Sequence, residues 1–360
     1  MISDLKYLQT IYQRCLSCHQ CTNTIACGKP LGLVAKFLLE DDSKIKDYVF
    51  SCHQCGYCLK NCPNHFDIKE FIFHARSYLH SSSCYHKAQY NSIRVDQEDN
   101  LFNKLKAIWQ VTYDDCLKKP GTCQRLFLPS CHLVAKFPDL AKKTTIYLQQ
   151  LDLIDGMTAT CCGNPLYMAG LKEEFQNYII KLDRSLKDHS VQEIITPCPN
   201  CYNFCLRMQI LGYLKNIEIK SLPEQLAKLK IKIDYKQFSQ IKTVSFHDSC
   251  PDRYSQKFGL PLRQLFRDFD IIELPHSLEN TLCCGGGGLA SMYHNNYTKT
   301  TIQVKVNDYN QVKSDLVITS CFNCLDTLHD YLPIKHFLEL LVIDADFNLY
   351  NDIKMKLTEK

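Results

Sequence analysis

The chain has 360 residues, of which 45% are hydrophobic and 22% are charged, and its formal net charge is +4. This length allows a substantial buried core in two or three domains, and the scattered lysines form no basic stripe of the kind that binds nucleic acid. The longest apolar candidate, Leu338 to Ile343, is far shorter than the roughly eighteen residues that cross a bilayer. These totals predict a globular chain with neither nucleic-acid binding nor a transmembrane segment.

The 22 cysteines are the unusual feature of the composition, and all but four of them fall into motifs with regular spacing. We find no secretory signal before these motifs, since residues 1–14 instead predict an amphipathic helix. Many of the cysteines form C-x-x-C or adjacent pairs, which favours metal-bound thiolates over disulfides. The four that remain, predicted to be ordinary buried or surface thiols, are Cys84, Cys116, Cys123 and Cys205.

Residues 1–80 predict a helical, ferredoxin-like domain with an apolar helix over 31–39. The run Cys52-x2-Cys55-x2-Cys58-x3-Cys62-Pro63 has the bacterial ferredoxin spacing, in which the fourth cysteine ligates the other cluster. The partner motif departs from this spacing, because Cys27 follows it after five residues and precedes Gly28 rather than proline. The usual crossed arrangement predicts two cubane [4Fe–4S] clusters, one held by Cys15, Cys18, Cys21 and Cys62, the other by Cys52, Cys55, Cys58 and Cys27. Two tetrahedral zinc sites are the alternative for these eight cysteines.

A linker with a helix is predicted over 81–124, and from residue 125 the chain alternates short apolar runs with amphipathic stretches, which indicates α/β structure. The predicted strands are 125–129, 193–197, 244–247, 271–274 and 316–319. The predicted helices are 134–151, 202–214, 261–269, 291–310 and 321–331. Cysteines recur at offsets of 119 to 123 residues, so the two halves are predicted to be copies. We expect two α/β lobes, 125–240 and 241–360, related by a pseudo-twofold axis.

Each predicted lobe carries a five-cysteine motif with an adjacent Cys-Cys-Gly at its centre. The cysteines of the two motifs are Cys131, Cys161, Cys162, Cys198 and Cys201, and Cys250, Cys283, Cys284, Cys321 and Cys324. Gly163, Gly285 and Gly286 follow the adjacent pairs and would let the backbone approach a cluster and donate amides to its sulfurs. The four-glycine run beginning at Gly285 does not fit a phosphate-binding loop, since no Gly-Lys-Ser/Thr follows it.

These motifs and their neighbours, such as Cys161-Cys162-Gly163-Asn164-Pro165 and His247-Asp248-Ser249-Cys250, resemble the CCG domain over residues 125–335. This domain is found in heterodisulfide reductase catalytic subunits and in the iron–sulfur subunits of glycerol-3-phosphate and glycolate dehydrogenases. The resemblance implies one noncubane [4Fe–4S] cluster in each repeat, because two fused iron–sulfur units can accept adjacent thiolates and a fifth ligand.

The resemblance also implies the function, an oxidoreductase subunit that passes electrons from the cubane to the noncubane clusters and reduces a small-molecule disulfide. The thiolates predicted to be catalytic are Cys250, Cys283, Cys284, Cys321 and Cys324. The predicted cofactor-binding residues are Gly163, Gly285, Gly286, His247 and Arg253. His247 and Arg253 would supply protons, hold an anionic substrate or give polar support to the cluster, and these roles stay open here.

No flavin or nicotinamide motif is visible, so a flavoprotein or another electron-donor subunit is the expected partner. Oxygen-sensitive clusters imply an anaerobic or low-oxygen cytoplasm, with attachment to the inner face of the membrane through a partner left open. Two other functions remain. One is an electron-transfer subunit of a flavin-dependent glycerol-3-phosphate, glycolate or lactate dehydrogenase complex, and the other is a zinc-stabilised interaction protein.

Overall fold

A computed structural model describes residues 3–22, 30–40, 44–81, 87–233, 238, 240–293 and 296–342. Cys27 and Cys84 lie outside these ranges, so their predicted roles stay predictions. In the described part of the chain, no helix is long and apolar enough to cross a membrane. Before residue 125 the described segments are mainly helical, with α1 Asp4–Arg14, α2 Leu31–Leu39, α3 Lys44–Ser51, α4 Tyr57–Asn61, α5 Ile68–Ser81 and α6 Leu101–Ile108, and with 3₁₀ turns at Gln20–Thr22, Lys87–Ile93 and Cys116–Lys118.

Two lobes of alternating strands and helices follow this helical part. The first lobe contains β1 Arg125–Phe127, α7 Cys131–Lys136, α8 Pro138–Gln150, β2 Gly156–Met157, α9 Asn164–Ala169, α10 Lys172–Asp188, β3 Glu193–Thr196, α11 Pro199–Ile210, β4 Glu218–Ser221 and α12 Leu222–Lys228. The second contains β5 Thr243–Phe246, α13 Gly259–Leu265, β6 Asp270–Ile271, α14 Asn296–Val312, β7 Leu316–Thr319, α15 Phe322–Leu328, β8 Ile334–His336 and α16 Phe337–Leu341, with 3₁₀ turns at Cys250–Asp252, Leu278–Asn280 and Ala290–Met292.

Each lobe is built on a four-stranded parallel sheet, and the strand order is the same in both. The orders are β2-β1-β3-β4 and β6-β5-β7-β8, and every pairing is parallel. Parallel strands need crossover helices and become buried on both faces, which explains the continuous apolar runs such as Leu316–Thr319. The prediction of an α/β fold is confirmed, and the shared strand order agrees with a duplicated unit.

One predicted helix is interrupted in the structure. The sequence predicts a single helix over 134–151, but α7 ends at Lys136 and α8 begins at Pro138. A proline has no backbone N–H to donate within a helix but is well suited to the first helical turn, so Pro138 starts a new helix. The new α8 packs Leu140, Ala141 and Leu148 into the core.

The helical part that precedes residue 125, called the module below, packs into the same apolar core as the first lobe. Phe73 of α5 stacks on Tyr167 of α9 with ring centroids 4.2 Å apart. The carboxylate of Asp67 pairs with Arg207 of α11. Burial alone would raise the pKa of Asp67, but this guanidinium holds it below its ordinary value. The module is therefore joined to the first lobe by both apolar and ionic contacts.

A buried arginine joins the module to both lobes. The side chain of Arg76 in α5 is fully buried, and its guanidinium donates hydrogen bonds to five backbone carbonyls. These carbonyls belong to Val49, Phe50, Cys52, Met168 and Gly288. Because Met168 is in the first lobe and Gly288 is in the second, Arg76 fixes the segment 49–52 between them.

Candidate iron–sulfur sites

The cysteines of both repeats lie at the carboxyl ends of parallel strands. Cys131 follows β1 by four residues and Cys198 follows β3 by two, and the second lobe repeats this with Cys250 after β5 and Cys321 after β7. In open α/β sheets, ligands bind outside these carboxyl ends where the strand order reverses. Because β1 and β5 are each flanked by strands on both sides, the sheet topology brings the sequence-distant cysteines of each repeat together.

In the first repeat the five sulfur atoms form a connected group, and three of the five cysteines are buried. Successive sulfurs lie within hydrogen-bonding reach in the order Cys131, Cys161, Cys162, Cys201 and Cys198. Hydrogen bonds from Cys131 and Cys162 lower the pKa of the Cys161 thiol well below its usual range. Lower thiol pKa favours the thiolate, which is the form that binds metals.

The second repeat has the same arrangement. The sulfurs connect in the order Cys250, Cys283, Cys284, Cys324 and Cys321. Hydrogen bonds from Cys283 and Cys324 lower the pKa of the Cys284 thiol well below its usual range. The structure therefore brings the five cysteines of each predicted set together in one mostly buried group, and it does so separately in each lobe.

Threonine hydroxyls and glycine backbone amides hold these cysteines in matching ways in the two repeats. The amide of Cys198 donates to the hydroxyl of Thr196 at 3.2 Å, and the amide of Cys321 donates to the equivalent Thr319 at 3.3 Å. Backbone amides of glycines also point at thiol sulfurs: Gly163 donates to Cys161 at 3.4 Å, Gly285 to Cys283 at 3.3 Å and Gly286 to Cys284 at 3.3 Å. Such donors stabilise negative charge on the sulfur atoms and adjust the reduction potential of a bound metal centre.

His247 distinguishes the second repeat from the first. It is 2% exposed, and a ring nitrogen lies within 4.8 Å of the sulfurs of Cys284 and Cys324. The offset of 119 residues that relates Cys250 to Cys131 pairs His247 with Leu128, so the first repeat has no histidine at this position. Its own ring beside the thiols is that of His132, whose Nδ1 lies 3.7 Å from the sulfur of Cys131. The structure thus places His247 directly against the second cysteine group.

Arg253 holds three segments around the second cysteine group. It is 1% exposed and donates to the carbonyl of Cys55 at 2.6 Å and to that of Thr281 at 2.6 Å. Because these donors are engaged by backbone carbonyls, the geometry favours polar support over binding of an anionic substrate.

The ferredoxin-like run lies beside the second repeat. The thiol of Cys55 is within hydrogen-bonding reach of Cys283, and the hydroxyl of Tyr254 donates to the carbonyl of Gly56 at 3.0 Å. The ligands of the other predicted cubane site line a small cavity of their own. Its lining includes the four predicted ligands Cys15, Cys18, Cys21 and Cys62 together with Pro63 and Phe66. Cys18 is exposed there, so this site is open to solvent.

Glycines of the second lobe allow the backbone of the ferredoxin-like run, at Cys52 and His53, to pack closely against this lobe. A side chain at Gly288, whose φ is +63°, would place its Cβ 2.3 Å from the carbonyl oxygen of Cys52, and one at Gly287 would lie 2.7 Å from that of His53. Half of the four-glycine run therefore serves the contact with the module rather than the thiols that precede it.

Replacing Gly288 with alanine is expected to lower the free energy of unfolding by about 2 kcal/mol or more, because the backbone conformation and the clash with Cys52 both oppose a side chain. Gly121→Ala is the matched control, since Gly121 also has a positive φ but nothing within 4 Å of the added carbon. Anaerobic urea unfolding measures both variants. Equal midpoints for the two would contradict the close packing of the run.

A cavity of about 310 Å³ lies between the lobes. Its thiol lining comes from Cys131, Cys162, Cys198 and Cys201 of the first repeat and from Cys321 of the second. Of the five thiolates predicted to be catalytic, only Cys321 therefore lines this cavity. The others that line a cavity, Cys250, Cys284 and Cys324, lie on a smaller one beside His53 and Gln54.

Mostly apolar groups complete the larger cavity. The apolar lining includes Ile93, Leu101, Phe102, Met168, Leu289, Met292 and Phe322. The charged side chains Lys136 and Asp326 pair with one another, and burial lowers the pKa of His132 beside them. Between the two repeats, the amide nitrogen of Asn200 lies 3.6 Å from the sulfur of Cys321.

The donor sets fit iron–sulfur clusters. Five mostly buried thiols in each repeat, with glycine amides aimed at some of their sulfurs, suit a soft metal centre. The residues that would hold clusters in the lobes are Cys131, Cys161, Cys162, Cys198 and Cys201, and Cys250, Cys283, Cys284, Cys321 and Cys324. In the module, Cys15, Cys18, Cys21 and Cys62 line one cavity and would hold another.

Some residues beside these sites carry no signal of their own in the sequence. Arg76 and Arg207 lie in ordinary helical stretches, and only the fold brings them to the sites. Asn200 lies between Cys198 and Cys201, but its position beside Cys321 of the other repeat also depends on the fold. Cys205 is 3% exposed, and burial raises its pKa to about 12. This agrees with a packing role, although Cys205 is one helical turn beyond Cys201.

Comparison with known proteins identifies the lobes. The family model described as a cysteine-rich domain, CCG, matches residues 125–205 and 244–329. The two matches contain all ten cysteines of the five-cysteine groups. The chain therefore carries two CCG cysteine-rich domains, one in each lobe.

The chain is similar to several iron–sulfur and lactate utilization proteins. An uncharacterized iron–sulfur protein of Methanococcus maripaludis is 21% identical over 314 residues, which is 81% of this chain and 62% of that protein. Lactate utilization protein A 2 of Bacillus cereus is 26% identical over 56% of this chain and 87% of its own length. Among solved structures, glutamate racemase RacE1 of Bacillus anthracis covers 65% of this chain and 82% of its own at 13% identity, with a TM-score of 0.30.

Proposed function

Because the chain is an iron–sulfur protein with two CCG cysteine-rich domains, we propose that it reduces a small-molecule disulfide in the cavity between its lobes. The observation that carries this proposal is the cavity of about 310 Å³, whose lining includes thiols of both repeats. The net reaction consumes one disulfide, two electrons and two protons and releases two thiols. When bound, iron–sulfur clusters supply one-electron carriers, and two carriers at one cavity match the two electrons that a disulfide takes up.

The order of the thiol groups supports a route for these electrons. The exposed group that includes Cys18 is open to an electron-donor partner, and Cys55 of the second ferredoxin-like group is within reach of Cys283. From there, Asn200 connects Cys321 to the first lobe. We propose that electrons enter at the module, reach the second repeat and arrive at the first repeat, which lines the cavity.

This route assigns different roles to the two repeats. The thiols of the second repeat lie within reach of Cys55 of the ferredoxin-like run, so we propose that this repeat passes electrons on and contributes Cys321 to the cavity. The first repeat contributes four of the five lining thiols, so we propose that the disulfide binds against it. The apolar side chains around these thiols favour a substrate with an uncharged, apolar portion next to its sulfurs.

A tryptophan at the cavity tests this proposal. Ser291 is exposed and lines the cavity, so Ser291→Trp would fill the space without removing a thiol. With reduced methyl viologen as the donor and glutathione disulfide or bis(2-hydroxyethyl) disulfide as acceptor, we expect kcat/KM to fall by about tenfold or more, which corresponds to about 1.4 kcal/mol of lost transition-state binding.

Thr112→Trp is the control, because Thr112 is exposed and is not among the lining residues. Both variants should keep the iron content of the parent protein. If Ser291→Trp reduces every accepted disulfide with the kcat/KM of the parent, the reaction does not take place in this cavity.

A second function is favoured by the names of the relatives. Lactate utilization protein A 2 of Bacillus cereus aligns with 56% of this chain, so we also consider a subunit that only relays electrons from a lactate-oxidising flavoprotein. Such a relay would accept electrons from reduced viologen and reduce no disulfide. The viologen assay therefore separates the two functions before any variant is made.

A further inference from the structure

Two cysteines outside the predicted cluster motifs face each other beside the first sheet. The sulfur atoms of Cys116 and Cys123 lie 2.9 Å apart, and Gly156 of β2 packs against both side chains. The S–S bond of a disulfide measures about 2.05 Å, so a small movement is enough to join them. We propose that Cys116 and Cys123 are a redox-active dithiol that closes reversibly to a disulfide.

The two thiols differ in their access to solvent. Cys116 is partly exposed at the start of a 3₁₀ turn, whereas Cys123 is 2% exposed. The connecting residues 118–122 are all exposed, so a small disulfide can approach Cys116 from this loop. This combination of an accessible and a sheltered thiol suits attack on an incoming disulfide followed by internal closure.

The chemistry of closure balances with a small-molecule disulfide as oxidant. Exchange at Cys116 forms a mixed disulfide and releases one small thiol, and attack by Cys123 on the Cys116 sulfur forms the internal bond and releases the second. The two protein thiols are oxidised and the small disulfide is reduced. The hydrogen bond between the two thiols raises the pKa of Cys116 and lowers that of Cys123, so the Cys116 proton can pass to Cys123 as Cys116 attacks, and each small thiol leaves with one of the two protons.

The position of the pair connects it to the first cysteine group. Asp115 accepts a hydrogen bond from the amide of Ala159 at 3.0 Å, two residues before Cys161. Cys123 lies two residues before the start of β1, the strand that leads to Cys131. A bond between Cys116 and Cys123 would therefore brace both segments without using a predicted cluster ligand.

Peptide mapping of the intact holoprotein tests the proposal. The protein is incubated anaerobically with glutathione disulfide, its free thiols are alkylated, and trypsin then cuts after Lys118, between the two cysteines. We expect peptides 107–118 and 119–125 to be recovered as one linked species, with two hydrogen atoms lost. Treatment with dithiothreitol before alkylation should restore both free peptides.

Matched variants keep the test specific. Cys116→Ser should abolish the linked species and leave Cys123 alkylated, whereas Cys205→Ser should leave the linked species unchanged. If Cys116 and Cys123 are both fully alkylated in oxidised protein that retains its visible absorption, the proposal is wrong. Linkage of either cysteine chiefly to a predicted cluster ligand would also overturn it.

Discussion

Replacing Arg76 with methionine is expected to lower the free energy of unfolding by about 4 kcal/mol or more. The substitution keeps much of the side-chain volume but removes every donor from five carbonyls in the module and both lobes. Buried carbonyls that lose their partner cost about 1–3 kcal/mol each, and a loss above about 4 kcal/mol marks the disruption of a buried network. Anaerobic urea unfolding followed by circular dichroism gives the difference.

Arg267→Met is the matched control for Arg76→Met. Arg267 also donates to backbone carbonyls, including that of Gln264 at 2.8 Å, but it is exposed and water can replace it. We expect a change within about 0.5 kcal/mol for this variant. Similar urea midpoints for Arg76→Met, Arg267→Met and the parent protein would show that Arg76 does not join the module to the lobes.

Replacing Cys201 with serine is expected to remove the iron bound by the first repeat. Cys201 lies between Cys162 and Cys198 in the group and is within reach of both, so its loss interrupts the donor set. We expect iron and acid-labile sulfide to fall by about four atoms each, the content of one [4Fe–4S] cluster. Disulfide reduction should be lost as well, because this group lines the cavity.

Cys205→Ser provides the control on the same helix. Cys205 is also buried and lies one turn beyond Cys201, so both variants place a hydroxyl in the same region. We expect Cys205→Ser to keep the full iron content. Loss of the same amount of iron in both variants would mean that Cys205 is a ligand or that the region does not tolerate serine.

The spacing of the cysteines and the apolar runs were sufficient to predict the α/β class. The strand predicted at 316–319 has these bounds in the structure, and the apolar helix over 31–39 also agrees. These elements are short or strongly apolar, so local pattern decides them. The single helix predicted over 134–151 was wrong because Pro138 begins a new helix.

The contacts between the module and the lobes were not predictable from local pattern. Gly288 is adjacent to a cysteine motif, yet its lack of a side chain is required by Cys52, more than two hundred residues away. Arg76 likewise occupies an amphipathic helix whose pattern does not reveal that its charge is buried. Such residues are determined by tertiary packing between segments far apart in sequence.

The sequence predicted the candidate ligands of the site, but it did not predict the residues and cavities that surround them. The structure brings together the predicted cysteines that it describes in each repeat, because they follow strand ends that the topology makes adjacent. The proposed division of roles depends on which repeat has a thiol within reach of Cys55 and which contributes most of the thiols that line the cavity. That information is absent from the two nearly symmetric motifs.

The central claim is that the module and both repeats hold iron–sulfur clusters. Anaerobic measurement of iron and acid-labile sulfide, with EPR spectra of the same sample, tests it most directly. We predict about sixteen iron atoms per chain, for two cubane and two noncubane [4Fe–4S] clusters, and an additional paramagnetic signal after thiol oxidation that Cys201→Ser alters. About eight iron atoms with ferredoxin-type signals alone would contradict the account, because the two five-cysteine groups would then hold no iron.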